Sequence, residues 1–347
     1  MNHYTSAYGI DESRVNAGNG PQLDFPVVDQ TKHDFRVAPA GDTRLPAGPR
    51  TRSSEAIVNQ TIGFIDRHAN QPFCVNVWLN DTHATLDPDA QMLERYESLM
   101  PTGVAHKHVG ANALYFATVT EADRQVGRLL AHLEERGLRE NTIVIFSADN
   151  GPEDIAISNA SHSGVGSPGP FRGRKRSLYE GGIRVPFILR WPNGGVRAGA
   201  VDNDTVLCGA DLMPTFSRLG GVERESLPTK LDGEDMSDVF RGKRRTRSKP
   251  MMWDWRFRVW GHCINKSPML AIREGEWKLL VNPARDREEL YHIPSDPMEL
   301  NNQAEKHPDL VDRLAKAVLA WRAELPDSPV SEDAGSNAYP WPVGSRE

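Results

Sequence analysis

The stretch Thr142–Gly151, which reads TIVIFSADNG, decides the fold that we predict for this chain. Its first seven residues, Thr142–Ala148, form a near-continuous apolar run, which is typical of a strand buried on both faces of a sheet. The polar turn Asp149-Asn150-Gly151 follows at once. In open α/β sheets, ligands bind beyond the carboxyl ends of the strands. This turn is therefore the first candidate for a functional site.

Two further elements are predicted upstream of this stretch. A helix begins near Ser54, whose side chain is predicted to cap it. Its apolar face is formed by residues at helical spacing, Ile57, Val58, Ile62 and Ile65. The apolar run Phe73–Leu79 predicts a short strand, and His83 follows the carboxyl end of that run. His83 is thus expected in the same kind of position as the turn at residues 149–151.

The order of these elements predicts the fold class. A long helix is expected over about residues 111–136, because its apolar residues recur at helical spacing. A further strand is expected over residues 185–191. Helix, strand, helix and strand in this order favour an α/β fold, in which an open sheet has helices on both faces.

The composition changes near the basic stretch Arg241–Lys249. We interpret this stretch as a solvated linker rather than a polyanion-binding patch, because no aromatic residues are interleaved in it. Beyond it we predict a strand at residues 252–255 and a hairpin over residues 269–281. A final helix presents Leu310, Leu314, Ala317 and Trp321 on one face. The predicted domains are residues 1–245 and a small α+β subdomain, with antiparallel strands and a terminal helix, at residues 250–347.

The bulk composition predicts a globular protein and argues against several classes. The chain has 347 residues, of which 38% are hydrophobic and 25% are charged, as expected for a packed core. A net charge of −6 does not favour nucleic-acid binding, and no apolar run is long enough to span a bilayer. Three widely separated cysteines predict neither a zinc cluster nor a disulfide framework. The first residues lack the regions of a signal peptide, which by itself favours a cytoplasmic product.

Two segments contain residues suited to binding a metal ion and an anion. Asp149 and Asn150 offer a carboxylate and an amide oxygen, which are hard donors that suit Ca²⁺ or Mg²⁺. An ordinary Asp-Asn-Gly turn is the alternative, and on this tripeptide alone it is favoured. The basic segment Phe171–Pro186 could cradle an oxyanion, or it could be a flexible basic loop. Two ligands cannot complete the coordination of a hard cation, so further donors are expected from elsewhere.

Taken together, these segments resemble one family. Ser147–Glu153, followed by Arg172–Lys175 and then by Leu178–Pro186, closely resembles the sulfatase family of the alkaline-phosphatase-like α/β/α superfamily. The segment leading to Thr82-His83 is similar to the family's sulfate-site histidine segment. Later segments agree with the resemblance as well, namely Asp211–Thr215, Leu231–Gly233, Glu276–Leu279, Glu289–Tyr291 and Asp296-Pro297. Residues 1–245 then correspond to the C-terminal part of a sulfatase catalytic domain, incomplete at its N-terminus.

The resemblance implies a role for each candidate residue. Asp149 and Asn150 would ligate a divalent cation, usually Ca²⁺ and alternatively Mg²⁺. His83 would contact the sulfate or the bridging oxygen and could protonate the leaving alcohol. Lys175 would bind a sulfate oxygen and offset charge on the leaving group. His162 would line the substrate mouth, although an exposed loop histidine is an equal alternative. His83 could also be a loop histidine, and Lys175 could be solvated. The expected ligand is a small-molecule or glycan sulfate ester, and no nucleic-acid partner is expected.

The chain also departs from the family pattern. The family's formylglycine is made from the Cys or Ser of a C/S-x-P/A-x-R motif, and this chain contains no such motif. We therefore expect a chain that begins partway through a sulfatase and is inactive alone. Met1 would then be an internal methionine, a mis-called start or the start of the second piece of a split gene, whose partner would be a separately encoded N-terminal fragment. Arg174 stands where the family often has Gly, which affects the expected substrate preference. An intact family member is expected to be periplasmic or secreted.

Two other functions stay open at this point. A non-catalytic protein that binds sulfated glycans through the same basic residues is favoured by the missing motif. A phosphoester or phosphonate hydrolase of the same superfamily is the third possibility, and Tyr179–Gly182 argues against it. The sequence does not distinguish aryl sulfates from glycan sulfates.

Overall fold

The structure, a computed structural model, describes residues 52–84, 86–99, 110–154, 163–259 and 261–336, without the side chains of Arg52 and Ser53. The chain divides into two compact units. The first comprises Met1–Arg139 with Ser158–Gly166, and the second comprises Glu140–Ile157 with Ser167–Glu347. Within the described ranges, no helix has both the length and the apolarity needed to cross a bilayer. The predicted domain boundary near residues 245–250 stays a prediction.

The first unit is helical where it is described. Its helices are α1 (Arg52–His68), α2 (Ala90–Glu94) and α3 (Ala111–Glu135). Helix α3 confirms the long helix expected from the apolar spacing. Helices α1 and α3 pack together, and Arg128 of α3 donates a hydrogen bond of 2.7 Å to the side chain of Asn59 in α1.

Two predictions for the first unit are wrong. Ser54 does not cap α1, because the helix begins two residues earlier and Ser54 is fully buried in its first turn. Residues 73–79 are not a strand, although the run is largely apolar. A strand needs hydrogen bonds to a neighbouring strand, and none pairs with this segment among the described residues. Trp78 is instead 75% exposed.

The second unit begins with a two-stranded ribbon. Strand β1 (Val144–Ser147) is followed by the short helix α4 (Glu180–Ile183) and by strand β2 (Phe187–Arg190). The two strands are antiparallel, with Ser147 opposite Phe187, so both strands form where they were predicted. The prediction that β1 is buried on both faces is wrong, because Phe146 is 46% exposed. Strands β1 and β2 pair only with each other in the described part, so no neighbouring strand covers them.

The rest of the second unit is built on a four-stranded antiparallel sheet. Helix α5 (Leu212–Leu219) precedes it. The sheet has the order β3 (Met251–Asp254), β4 (Leu270–Glu274), β5 (Trp277–Val281) and β6 (Glu288–His292), and helix α6 (Pro308–Ala323) follows. These elements confirm the predicted strand, hairpin and terminal helix. Asn282 donates its backbone N–H to Arg287 at 3.1 Å, so the connection from β5 to β6 is tight.

The two faces of this sheet bury different partners. Leu279 and Leu290 lie on the face that packs against α6, where Leu314 is fully buried. The buried residues of α6 are Val311, Leu314, Ala315 and Val318, whereas the predicted Leu310, Ala317 and Trp321 lie beside them and are partly buried. On the opposite face, Leu280 packs against Leu178 and Tyr179, which lie just before α4. The sheet therefore supports the segment that leads into the candidate site.

Candidate functional site

The polar turn after β1 is held in place by contact between glycines. The backbone N–H of Gly151 donates to the carbonyl of Gly182 at 2.9 Å. A Cβ atom at Gly151 would lie 1.9 Å from the carbonyl oxygen of Gly181, which is far inside van der Waals contact. Only glycine fits here without a shift of the backbone. The turn that carries Asp149 and Asn150 is thereby fixed to the first turn of α4.

Gly181 and Gly182 of α4 also lie in close contact with the backbone of the basic segment. A Cβ atom at Gly181 would lie 2.3 Å from the carbonyl oxygen of Gly173, and one at Gly182 would lie 2.1 Å from that of Ser177. The backbone N–H of Gly181 donates to the carbonyl of Arg172 at 2.7 Å. Residues 172–182 therefore form a closed loop, here called the Lys175 loop, whose two ends meet.

Lys175 is joined to the turn through its backbone. Its N–H donates to the carbonyl of Pro152 at 2.9 Å. Its ammonium lies 3.8 Å from a carboxylate oxygen of Glu153, and the side chain is 21% exposed. The backbone of Lys175 is thus joined to the segment that follows Asp149 and Asn150, here called the patch together with those two residues. The ligand roles expected for Asp149, Asn150 and Lys175 stay predictions.

Glu153 organises the cations of this patch. Both of its carboxylate oxygens accept hydrogen bonds from the guanidinium of Arg176, one of them at 3.1 Å, and the backbone N–H of Asp154 donates to it at 2.8 Å. Its main-chain carbonyl accepts from Arg174 at 2.9 Å. Burial alone would raise the pKa of Glu153, but the hydrogen bonds and charge of Arg176 outweigh it, so the pKa lies below its ordinary value. Glu153 therefore stays a carboxylate that holds the basic segment against the turn.

The oxygen donors of the turn fit a hard cation. The side-chain amide of Asn150 donates to the carbonyl of Gly151 at 2.9 Å, which leaves its oxygen Oδ1 for a ligand. Asp149 is exposed, and its carboxylate forms no ion pair with any residue the structure describes. No group of three or more His, Cys, Asp or Glu side chains is gathered for a metal in the described ranges. Asp149 and Asn150 could therefore supply two of the six or more oxygens that a Ca²⁺ ion needs, and their role as ligands stays a prediction.

The two histidines predicted for the site belong to other segments. His83 lies in the first unit, in a turn where its backbone N–H donates to the carbonyl of Asn80 at 3.2 Å. Its side chain is exposed, and its Nδ1 lies 2.7 Å from the carbonyl oxygen of Ala84, which leaves Nε2 for a ligand. His162 lies outside the described residues. The roles expected for His83 and His162 stay predictions.

A buried charge cluster beneath α4 was not found by sequence reasoning. Lys278 of β5 is fully buried, and its ammonium lies 2.9 Å from a carboxylate oxygen of Glu180 and 2.9 Å from one of Glu299. Burial would raise the pKa of Glu180, but Lys278 outweighs it and lowers the pKa. Burial is the largest effect on Glu299 and raises its pKa. A lysine within the apolar strand Trp277–Val281 is the signal that could have revealed this cluster.

A second set of contacts holds the segment before α4. The hydroxyl of Tyr179 donates to the carboxylate of Glu289 at 2.7 Å, and burial raises the pKa of that hydroxyl. The guanidinium of Arg172 lies 3.8 Å from the centre of the Tyr179 ring and donates to the hydroxyl of Tyr291 at 3.2 Å. Tyr179 and Glu180 therefore bind side chains of the C-terminal sheet, while Gly181 and Gly182, which follow them, contact the turn after β1.

Two known protein families match most of the chain between them. The family described as Sulfatase matches residues 10–222. The family described as N-sulphoglucosamine sulphohydrolase, C-terminal, matches residues 171–324. The second match begins at Phe171 and so includes both the Lys175 loop and the four-stranded sheet that anchors it.

Individual relatives agree with these matches. An N-acetylgalactosamine-6-O-sulfatase of Bacteroides thetaiotaomicron is 26% identical over 285 residues, which are 76% of this chain and 50% of the relative. A steryl-sulfatase of Mus musculus is 39% identical over 251 residues, which are 62% of this chain and 38% of the relative. The chain spans about half the length, or less, of the curated relatives it matches.

Solved structures show the fold. The structure of Ps i-CgsB in complex with k-i-k-neocarrahexaose aligns with a TM-score of 0.64 at 24% identity, over 82% of this chain and 58% of that one. The predicted alkaline-phosphatase-like α/β fold with a C-terminal sheet subdomain is thereby confirmed.

Proposed function

Because this chain belongs to the sulfatase family, we propose that it takes part in the hydrolysis of sulfate monoesters of glycans or aryl alcohols. The observation that supports the proposal is the pair of backbone hydrogen bonds, from Gly151 to Gly182 and from Lys175 to Pro152, that joins the turn after β1 to the Lys175 loop. Oxygen donors on one of these joined segments and an ammonium on the other suit an anionic ester that binds between a divalent cation and a lysine.

Each residue of the patch has a defined part in this proposal. Asp149 and the oxygen of Asn150 hold the cation, which we propose to be Ca²⁺, with Mg²⁺ as the alternative. A bound cation would supply positive charge for the sulfate oxygens. Lys175 offsets the negative charge that builds on the departing oxygen, and Glu153 keeps its ammonium close to the turn. His83 is proposed to protonate the leaving alcohol through Nε2, a step that typically contributes about 10²–10⁴-fold.

No residue of this chain is assigned the role of the nucleophile, because the sequence contains no C/S-x-P/A-x-R motif from which formylglycine is made. We therefore propose that turnover depends on residues supplied by another polypeptide segment, whereas binding of the cation and of the ester does not. The relatives include an N-acetylgalactosamine-6-O-sulfatase and an N-acetylglucosamine-6-O-sulfatase, and glycan sulfates are therefore the substrate class that we favour.

The test is a calorimetric titration of the full chain with calcium chloride, followed by 4-nitrophenyl sulfate in the presence of calcium. We expect Asp149→Asn to weaken calcium binding at least tenfold, and Lys175→Met to weaken ester binding at least tenfold. Asp309→Asn and Lys316→Met in α6 are the matched controls and should bind as the wild type does. If the wild-type chain binds neither calcium nor the ester, the proposal fails.

Release of 4-nitrophenol distinguishes the proposed role in ester hydrolysis from the alternative of a non-catalytic protein that binds sulfated glycans. A chain that serves only to bind sulfated glycans would release none under any condition, including mixture with an N-terminal segment of a sulfatase that carries the formylglycine motif. We expect such a mixture to release 4-nitrophenol in a calcium-dependent manner and the chain alone to release none.

A further inference from the structure

One residue outside the patch contacts both ends of the Lys175 loop. Glu299, which lies after β6, accepts a hydrogen bond from the guanidinium of Arg172 at its main-chain carbonyl, at 3.0 Å. Its carboxylate accepts the backbone N–H of Glu180 at 2.6 Å. Arg172 opens the loop, and Glu180 lies just before the glycine pair that closes it. Glu299 therefore bridges the two ends of the loop that carries Lys175.

The backbone of Glu299 has a conformation that needs support from the contacts around it. Its φ angle is +56°, in the left-handed region that residues with a Cβ atom adopt only at a cost. Its side chain is fully buried, where a carboxylate is stable only with partners. A strained and buried acidic residue persists when the surrounding contacts determine its position.

Lys278 of β5 contacts both Glu299 and Glu180. Its ammonium lies 2.9 Å from a carboxylate oxygen of Glu180 and 2.9 Å from one of Glu299, so a single cation is shared by the two carboxyl groups. Two arginines add weaker contacts to Glu180, Arg273 at 3.8 Å and Arg184 at 3.7 Å. Glu299 and Lys278 both form hydrogen bonds with Glu180 of α4, and this pair of residues is called the clamp below.

We propose that Glu299, supported by Lys278, is a positioning residue of the sulfate site. It holds the ends of the Lys175 loop together, so that Gly181 and Gly182 seat Gly151 and the backbone of Lys175 meets Pro152. The role of this clamp in binding rests on the proposed function, whereas its effect on the loop does not. The C-terminal sheet therefore contributes to ligand binding through its hold on the loop, without touching the ligand.

Hydrogen exchange on the full chain tests the clamp itself. In Glu299→Gln, we expect the amides of Gly151, Lys175 and Gly181 to exchange at least tenfold faster than in the wild type. The amides of β4 and β5 should exchange no faster than any change in the free energy of global unfolding accounts for. The matched control is Glu234→Gln, a buried glutamate of the same unit that binds the backbone N–H of Ser248 at 3.0 Å. Unchanged loop exchange in Glu299→Gln, or equal acceleration in Glu234→Gln, overturns the proposal.

Binding of inorganic sulfate in the presence of calcium tests the consequence for the site. We expect Glu299→Gln to weaken sulfate binding at least tenfold, and Glu234→Gln to leave it unchanged. Wild-type sulfate affinity in a Glu299→Gln protein with a loosened loop overturns the role in binding. A wild-type chain that binds no sulfate contradicts the proposed function instead, and the exchange rates then decide the clamp alone.

A second variant keeps the test open if Glu299→Gln does not fold. Arg172→Met retains an apolar stem against Tyr179 but removes the hydrogen bond to the carbonyl of Glu299. Faster exchange at Gly181, whose N–H donates to the Arg172 carbonyl, is the expected result. Wild-type exchange at that amide overturns the proposal.

Discussion

The two sheets of the second unit differ in what they bury and in what they carry. The four-stranded sheet contains residues that are fully buried on both faces, such as Leu279 and Leu280. The ribbon of β1 and β2 leaves Phe146 and Ile188 46% and 60% exposed, yet the polar turn at its end holds the proposed cation ligands. The sheet supplies the packing energy, and the turn that follows the ribbon contains the proposed ligands. The Lys175 loop connects them.

The largest effect should come from the sheet. Leu279→Ala removes a fully buried side chain, and we expect it to lower the free energy of unfolding by about 3 kcal/mol, as is usual for leucine in a core. Phe146→Ala on the ribbon should cost about 1 kcal/mol or less, because nearly half of that side chain is already exposed. Chemical denaturation measures both values. Equal costs would remove the distinction between the two sheets.

A smaller effect is expected where the ribbon meets α4. In Gly151→Ala, the new Cβ would lie 1.9 Å from a carbonyl oxygen, and we expect a loss of about 2 kcal/mol from the backbone shift it forces. Calcium affinity should fall with it, because Asp149 and Asn150 move. Gly209→Ala is the control, since its Cβ would meet nothing within 4 Å. A Gly151→Ala protein with wild-type calcium affinity would show that the glycine contact does not place the turn.

The smallest effect should come from the charged edge of the patch, and it should depend on pH. The pKa of Glu153 is lowered in the folded chain, so its contribution to stability is present above its ordinary value of 4.5 and is lost as pH falls through the folded pKa. Glu153→Gln should therefore cost about 1 kcal/mol at pH 7 and progressively less in acid.

Denaturation curves at several pH values measure this dependence. Glu305→Gln, an exposed substitution on the same unit, is the control and should show no such trend. A Glu153→Gln cost that is constant from pH 7 down to pH 3 would contradict the role assigned to the carboxylate.

The elements that could be predicted from sequence were those set by local pattern. The hairpin of β4 and β5 has a turn at Gly275 between two apolar runs, and α3 repeats its apolar residues at helical spacing. Both were confirmed. The run Phe73–Leu79 has an equally apolar pattern but no ladder among the described residues, because pairing depends on a partner that a local pattern does not specify.

The candidate site was predictable only through its motif. The resemblance predicts Asp149, Asn150 and Lys175, and the backbone contacts of Gly151 and Lys175 join the two segments that contain them. The clamp of Lys278 and Glu299 was missed, because its members are far apart along the chain and their pairing exists only after β5 and β6 have formed. Long-range ion pairs of this kind leave only a weak trace in sequence, a charged residue inside an apolar strand.

The most direct test of a single composite site is the dependence of sulfate affinity on calcium. The full chain is titrated with inorganic sulfate at zero and at saturating calcium, alongside Lys175→Met and its control Lys316→Met. A shared site predicts that calcium tightens sulfate binding about tenfold in the wild type and the control, and not in Lys175→Met. A sulfate affinity that is the same with and without calcium would contradict the claim that the turn and the Lys175 loop hold one ligand.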